Sequence, residues 1–163
     1  VAYKQVIDTI QTSAKLIIAG SRNYSHYNKE IEKYIVDLNI QNNVVLLGSV
    51  SKEYLKHLYL NAYILVFPSP FENFAYTLVE AMSCGTPIVC SNTTAMPETC
   101  QNAALYFDPY NTDEMAEKIG LIIENDLLRE DMSERSLIRS KELPDYKEVT
   151  LQTLNIMKEL VNK

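Results

Sequence analysis

Two glutamates, Glu72 and Glu80, stand in the part of this chain best suited to chemistry, the stretch Pro68-Ser69-Pro70-Phe71-Glu72-Asn73-Phe74-Ala75-Tyr76-Thr77-Leu78-Val79-Glu80. Pro68 and Pro70 keep the first residues out of helix, so a helix is expected to open near Phe74 or Ala75. Its free N–H groups and positive dipole end would then lie beside Glu72 and Asn73, where an anion such as a diphosphate can be held. Glu80 follows inside an apolar run, flanked by Leu78, Val79, Ala81 and Met82. An unpaired carboxylate buried there would be costly, so it needs a partner or a ligand. A ribose diol could supply that by donating hydrogen bonds to the carboxylate. Two plainer readings stand beside these: Glu80 on a solvated helix face or next to a cation, and Glu72 as an acid that steadies the helix dipole.

The elements that must position these residues are legible in the apolar pattern. Short runs rich in Val, Ile and Leu, at Lys15–Ala19, Val44–Leu47, Tyr63–Phe67, Pro87–Cys90 and Ala104–Phe107, alternate with stretches of helical period. That alternation predicts an α/β domain with a parallel sheet. The strands lack polar–apolar alternation, so helices are expected on both sheet faces, the Rossmann-like doubly wound layout. Ile31, Tyr34, Ile35 and Leu38 mark one helix, and Ser51 with Glu53 opens another that carries Leu55, Leu58 and Tyr59. Thr112 is expected to start a third, with Met115, Ile119, Ile122 and Ile123 on its stripe, and helix continues to Lys163 with a break before Pro144. Residues Val1–Gln11 carry Tyr3, Val6, Ile7 and Ile10 at helical spacing, which predicts a helix with its preceding strand upstream of Val1. The whole of 1–163 reads as one domain. In open α/β sheets ligands bind beyond the carboxyl ends of the strands, which is where the Glu72 loop falls.

The E-x7-E spacing of Glu72 and Glu80, within the stretch that runs on to Gly85-Thr86-Pro87, closely resembles the signature of the retaining GT-B glycosyltransferases of family 4. Leu47-Gly48-Ser49-Val50-Ser51, Tyr59-Leu60-Asn61-Ala62-Tyr63, Met96-Pro97-Glu98 and Ala103-Ala104-Leu105-Tyr106-Phe107-Asp108-Pro109 agree in order, so the likeness covers roughly Lys15 to Met157. The resemblance implies the C-terminal, donor-binding half of a GT-B fold, lacking its first strand, with a nucleoside diphosphate sugar as substrate and no further cofactor. It implies that Glu72 is the catalytic carboxylate, accepting from donor-sugar hydroxyls near the reacting carbon. Asn73 and main-chain N–H groups of Phe74, Ala75, Tyr76 and Thr77 would face sugar and diphosphate, Glu80 would hold the ribose, and Gly48, Ser49 and Val50 would bound the base pocket. The sequence departs from the family at Asn73 and Ala75, where E-G-F-G is usual, and these side chains are expected to narrow the sugar pocket. An Arg and a Lys that the family places after the first strand have no counterpart here. The fragment is therefore expected to be inactive without an N-terminal acceptor domain, with any peripheral membrane association made through that half.

The bulk composition excludes other classes. A chain of 163 residues that is 47% hydrophobic can bury a core, and its net charge of −6 offers no basic stripe for a phosphate backbone, so nucleic acid is not expected as a partner. No apolar run approaches the roughly 20 residues of a membrane span and no leader opens the sequence, which predicts a soluble, cytoplasmic protein. Cys84, Cys90 and Cys100 form no C-x-x-C pair and read as small buried hydrophobes in a reducing compartment. No D-x-D pair occurs, so no metal is expected. His26 and His57 read as surface residues, and Arg22 as either a phosphate contact or a loop cation. An epimerase of the same architecture and a non-catalytic nucleotide-binding subunit are the competing functions. A nicotinamide-binding fold is disfavoured by the absence of G-x-G-x-x-G.

Overall fold

Strand β4 (Ile88–Ser91) shows how the core is organised, because all four of its residues are buried. Ile88 and Cys90 point to one side and Val89 to the other, as strand alternation requires. On the first side they pack with Leu78, Ala81, Met82, Met96 and Cys100, and on the second with Val6, Phe107, Ile119, Ile122 and Met132. A strand covered on both faces reads as a continuous apolar run, which is why no alternation is visible in its sequence.

The computed structural model describes residues 1–21 and 25–161, without the side chains of Ser25, His26 and Tyr27. Arg22 and the His26 side chain thus lie outside the described residues. In chain order the elements are α1 (Ala2–Ile10), β1 (Leu16–Ala19), α2 (Ser25–Asp37), β2 (Val44–Gly48), α3 (Lys52–Asn61), β3 (Leu65–Phe67), α4 (Tyr76–Ser83), β4, α5 (Met96–Cys100), β5 (Ala104–Phe107), α6 (Thr112–Glu124), α7 (Asp126–Glu142) and α8 (Tyr146–Val161). Every described pairing is parallel, so the α/β class is as expected. The break before Pro144 falls between α7 and α8.

The sheet differs from the expectation in one respect. β3, β4 and β5 pair in that order, but β2 pairs with β1, giving a second sheet of two strands. Val44–Leu47 is therefore not a hydrogen-bonded neighbour of the other two strands that flank the Glu72 segment. Helix cover differs with it. Ile17 and Val45, paired across β1 and β2, are 47% and 40% exposed. The two-faced burial predicted for the whole sheet holds for β3–β5 and fails on one face of β1–β2.

Local chemistry fixes the helix ends. Ser51 caps α3 by accepting the Tyr54 N–H at 3.2 Å. Its Oγ also bonds Glu53, and this, after the main-chain bond, holds the Glu53 carboxyl below the usual carboxylate range. Thr112 is the first residue of α6, as expected, and Asn111 caps it: Asn111 accepts the Glu114 N–H at 3.1 Å, and the Glu114 carboxylate accepts the Asp108 N–H at 2.9 Å. Asn is as good a cap as Thr and stands one residue earlier. Tyr34, expected on the inner stripe of α2, is exposed while Ile31 and Ile35 are half-buried. Removing the α3 cap with Ser51→Ala is expected to destabilise the protein by about 1 kcal/mol, read as a lower urea midpoint at unchanged slope.

The entry to β4 is tied to two helices. Thr86 donates to the Tyr59 carbonyl at 2.8 Å, Ser136 donates to the Thr86 carbonyl at 3.0 Å, and Ser133 donates to the Gly85 carbonyl at 2.6 Å. Gly85 has φ +72°, and a Cβ there would meet Leu137 and Ser133 at 3.2 Å, so both its conformation and its close approach to α7 require glycine. These bonds tie α3 and α7 to the turn between α4 and the amino end of β4, beside the start of β3.

Candidate functional site

The loop after β3 has no regular structure of its own, so its shape depends on what grips it. Three side chains at and just beyond the carboxyl end of β4 do so. Ser91 donates to the Ser69 carbonyl at 2.5 Å and Thr93 to the Pro70 carbonyl at 2.9 Å. The Glu72 N–H donates to the Thr94 hydroxyl at 3.1 Å. Within the loop, Ser69 donates to the Phe71 carbonyl at 3.0 Å. Glu72 is half-buried, while Asn73, Phe74 and Tyr76 are exposed. The rings of Phe74 and Tyr76 meet edge to face at 4.7 Å.

Helix α4 begins at Tyr76, one or two residues later than the sequence suggests, with Ala75 at the cap position and no side chain capping it. The Tyr76 N–H turns back to the Phe74 carbonyl at 3.0 Å, and the Leu78 N–H to the Ala75 carbonyl at 2.9 Å. Ala75 is 2% exposed and belongs to the core with Leu78 and Met82. Its methyl therefore does not enter the open space before the helix, and the expected narrowing there falls to Asn73 alone.

Glu80 is exposed, not sealed in the apolar run, because the run wraps a helix whose other faces carry Leu78, Ala81 and Met82 inward. The carboxylate nevertheless has a neighbour that sequence reading missed, Tyr59 at the end of α3. The Tyr59 phenol is pushed up to about 12 by burial first, then by the charges of Glu80 and Cys84 and by its hydrogen bond to Glu80. It stays protonated at neutral pH beside the Glu80 carboxylate, whose lone pairs are open to a donor.

Gly48 ends β2 in the other sheet, and Ser49 and Val50 follow it. Gly48 has φ +72° and its carbonyl accepts the Gly20 N–H at 2.9 Å. Together with Ile18, Gly20, Ile31 and Leu46 it lines a 190 Å³ cavity at the carboxyl ends of β1 and β2. The expected site residues thus fall into two groups: a contiguous run from Glu72 to Glu80 around the start of α4, and the turn after β2. His57 is on the exposed face of α3, its carbonyl accepting from Asn61 at 2.8 Å. Cys90 and Cys100 are fully buried and Cys84 partly so, all three as free thiols. A mutual hydrogen bond with Cys100, followed by burial, raises the Cys90 thiol well above the ordinary thiol range, so it is inert.

Residues 2–138 match the family described as glycosyl transferases group 1. The chain belongs to that family. It is similar to the O-antigen chain mannosyltransferase B of Escherichia coli, with 40% identity over 112 residues that make up 69% of this chain and 29% of that protein. The fold of this group 1 domain is shared by the sucrose-phosphate synthase of Thermosynechococcus elongatus, with a TM-score of 0.85 at 23% identity over 99% of this chain and 42% of that one. Anabaena Alr3699/HepE, solved in complex with UDP, gives a TM-score of 0.83 at 20% identity over 96% of this chain and 44% of that one. The chain spans less than half the length of each of these proteins. No helix of the described residues is long and apolar enough to cross a membrane.

Within the group 1 domain, Ser91, Thr93 and Thr94 are the site-forming residues that sequence reading passed over. The available signal was a hydroxyl cluster at the carboxyl end of the strand adjacent to the one bearing the Glu72 loop.

Proposed function

We propose that this chain is the donor-binding domain of a retaining, family 4 glycosyltransferase that moves a sugar from a nucleoside diphosphate sugar to an acceptor in polysaccharide or glycoconjugate synthesis. The observation that carries the reading is the start of α4: no side chain caps it, it follows the Glu72 loop at the carboxyl end of a parallel strand, and it bears Glu80 on an exposed face. An uncapped helix start offers main-chain N–H donors to a diphosphate, and cleavage of the sugar–phosphate bond builds negative charge where those donors and the dipole act. Asn73 and the main chain of Phe74, Ala75, Tyr76 and Thr77 line this donor subsite. Glu72 accepts from sugar hydroxyls. Glu80, steadied by Tyr59, takes the ribose diol, and the Gly48-Ser49-Val50 turn bounds the base. Mannose is the first sugar to test, since the E. coli relative is a mannosyltransferase. No metal is required in this scheme, since the chain has no D-x-D pair to hold one.

The acceptor belongs to a preceding domain, and the reaction to the cytoplasm, where nucleotide sugars are available. In support, the chain spans 29% of its E. coli relative. In addition, the free edges of β1 and β3 are suited to a further parallel strand that would join the two sheets.

Titration calorimetry of the full-length protein with GDP-mannose, UDP-glucose, UDP-N-acetylglucosamine and NAD tests this reading. Binding of one nucleotide sugar and none of NAD is expected, and failure to bind any nucleotide sugar overturns it. With the donor so identified, Glu80→Gln is expected to raise its Kd by about ten-fold, the loss of one charge-assisted hydrogen bond, and to leave kcat within a factor of about two. An unchanged Kd would remove Glu80 from the site.

A further inference from the structure

Among the described residues four that are not glycine have positive φ: Gln11, Asn39, Thr94 and Gln101. Gln11 and Gln101 are the C-caps of α1 and α5, and Asn39 follows the end of α2. Left-handed backbone is ordinary at the C-cap Gln11 and for Asn39, while Gln101, at φ +49° and ψ −120°, is a bend that closes α5 outside that region. Thr94 differs from all three. It precedes a helix, and a β-branched residue at φ +48° is a genuine outlier that persists only where its surroundings enforce it.

What enforces it is the contact with the Glu72 loop. In this conformation the Thr94 Oγ accepts the Glu72 N–H at 3.1 Å and donates its own proton to the buried Met96 Sδ at 3.8 Å, so both capacities of the hydroxyl are used. Ser91 and Thr93 fasten an earlier part of the same loop through the carbonyls of Ser69 and Pro70. Of these three clamps, the one at Thr94 acts on the main chain of Glu72 itself. A glycine would adopt the same backbone without strain, yet it would leave the Glu72 N–H without this acceptor.

Resting on the donor-site reading of Glu72, we propose that Thr94 is a positioning residue: its strained backbone presents a hydroxyl that fixes Glu72 at the height the reacting sugar requires. The side chain touches no substrate and acts through Glu72 alone.

Three variants of the full-length protein separate this role from a structural one. Thr94→Val keeps the shape and the strain but has no hydroxyl, Thr94→Gly relieves the strain and has no hydroxyl, and Thr94→Ser keeps the hydroxyl. Release of nucleoside diphosphate from GDP-mannose, UDP-glucose and UDP-N-acetylglucosamine is followed with a lipid extract of the source cells as acceptor, and each variant is melted in parallel. Loss of positioning is expected to lower kcat by about ten-fold in Thr94→Val and Thr94→Gly, since small misplacements of a reacting group are costly. Donor KM should change less than about two-fold, as expected when the lost contact matters only in the transition state. Thr94→Ser is expected to restore kcat, and Thr94→Gly to melt higher than Thr94→Val. Wild-type kcat in Thr94→Gly overturns the role, as does a loss confined to KM or a Thr94→Ser that behaves like Thr94→Val. Thr94→Gly melting below Thr94→Val overturns the strain. A wild-type protein inert with all three donors overturns the transferase reading itself, and this role with it.

Discussion

On the proposed donor-site reading, replacing Glu72 with Gln in the full-length protein is expected to lower kcat by about ten- to a hundred-fold, while donor KM stays within about three-fold. The size follows from the chemistry of the change. Gln keeps the length and one acceptor oxygen but surrenders the charge, so each hydrogen bond from a sugar hydroxyl loses its charge assistance, about 1.5–3 kcal/mol. The effect falls on kcat because positive charge gathers on the sugar as its bond to phosphate breaks, and a nearby carboxylate is worth more then than in the ground state. The fold should not change, since Glu72 is anchored through its main-chain N–H to Thr94. Steady-state kinetics and a melting curve on the same sample decide the matter. Unaltered turnover would exclude Glu72 from the reaction, and a fall confined to KM would make it a binding residue.

The largest effect on stability is expected at Phe107. It ends β5 fully buried, between Val89 on the neighbouring strand and Val6, Ile119, Ile122 and Met132 on the helices that cover that face. Phe107→Ala removes a ring that α1, α6 and α7 cannot close over, because they are also held by polar contacts such as Gln5 to Asp113 at 2.5 Å. The expected cost is about 3–5 kcal/mol, most of the stability of an ordinary domain. Tyr110→Ala, only three residues away but 84% exposed, should change stability by less than about 0.5 kcal/mol. Urea unfolding of both variants checks the contrast. A loss at Phe107 no greater than that at Tyr110 would mean that this face of the sheet is not a packed core.

The strands were legible because β4 and its neighbours are buried on both faces and are therefore written as uninterrupted apolar runs. The start of α4 was legible to within two residues, since Pro68 and Pro70 forbid helix before it. The pairing of β2 was not legible. Its apolar run has the same composition as those of β3 and β4, and register and order are set by which edges meet, which no local pattern encodes. The sequence left open whether Glu80 is buried or solvated for a related reason: neighbours along a helix point to different faces, so apolar flanks do not make a residue buried, and the solvated reading is the one that holds.

By itself the sequence determined the class of fold, the family and the two carboxylates, because each is carried by residue type at short spacing: apolar runs, an E-x7-E pair, prolines before a helix. Only the tertiary structure decided what holds those carboxylates. Tyr59, on another helix, lies beside Glu80, and the Thr94 hydroxyl meets the Glu72 N–H from beyond the end of the next strand, 22 residues along the chain. Such contacts depend on side chains brought together by the packing of β3 against β4, and a hydroxyl or phenol far away in sequence carries no mark of the partner it will find.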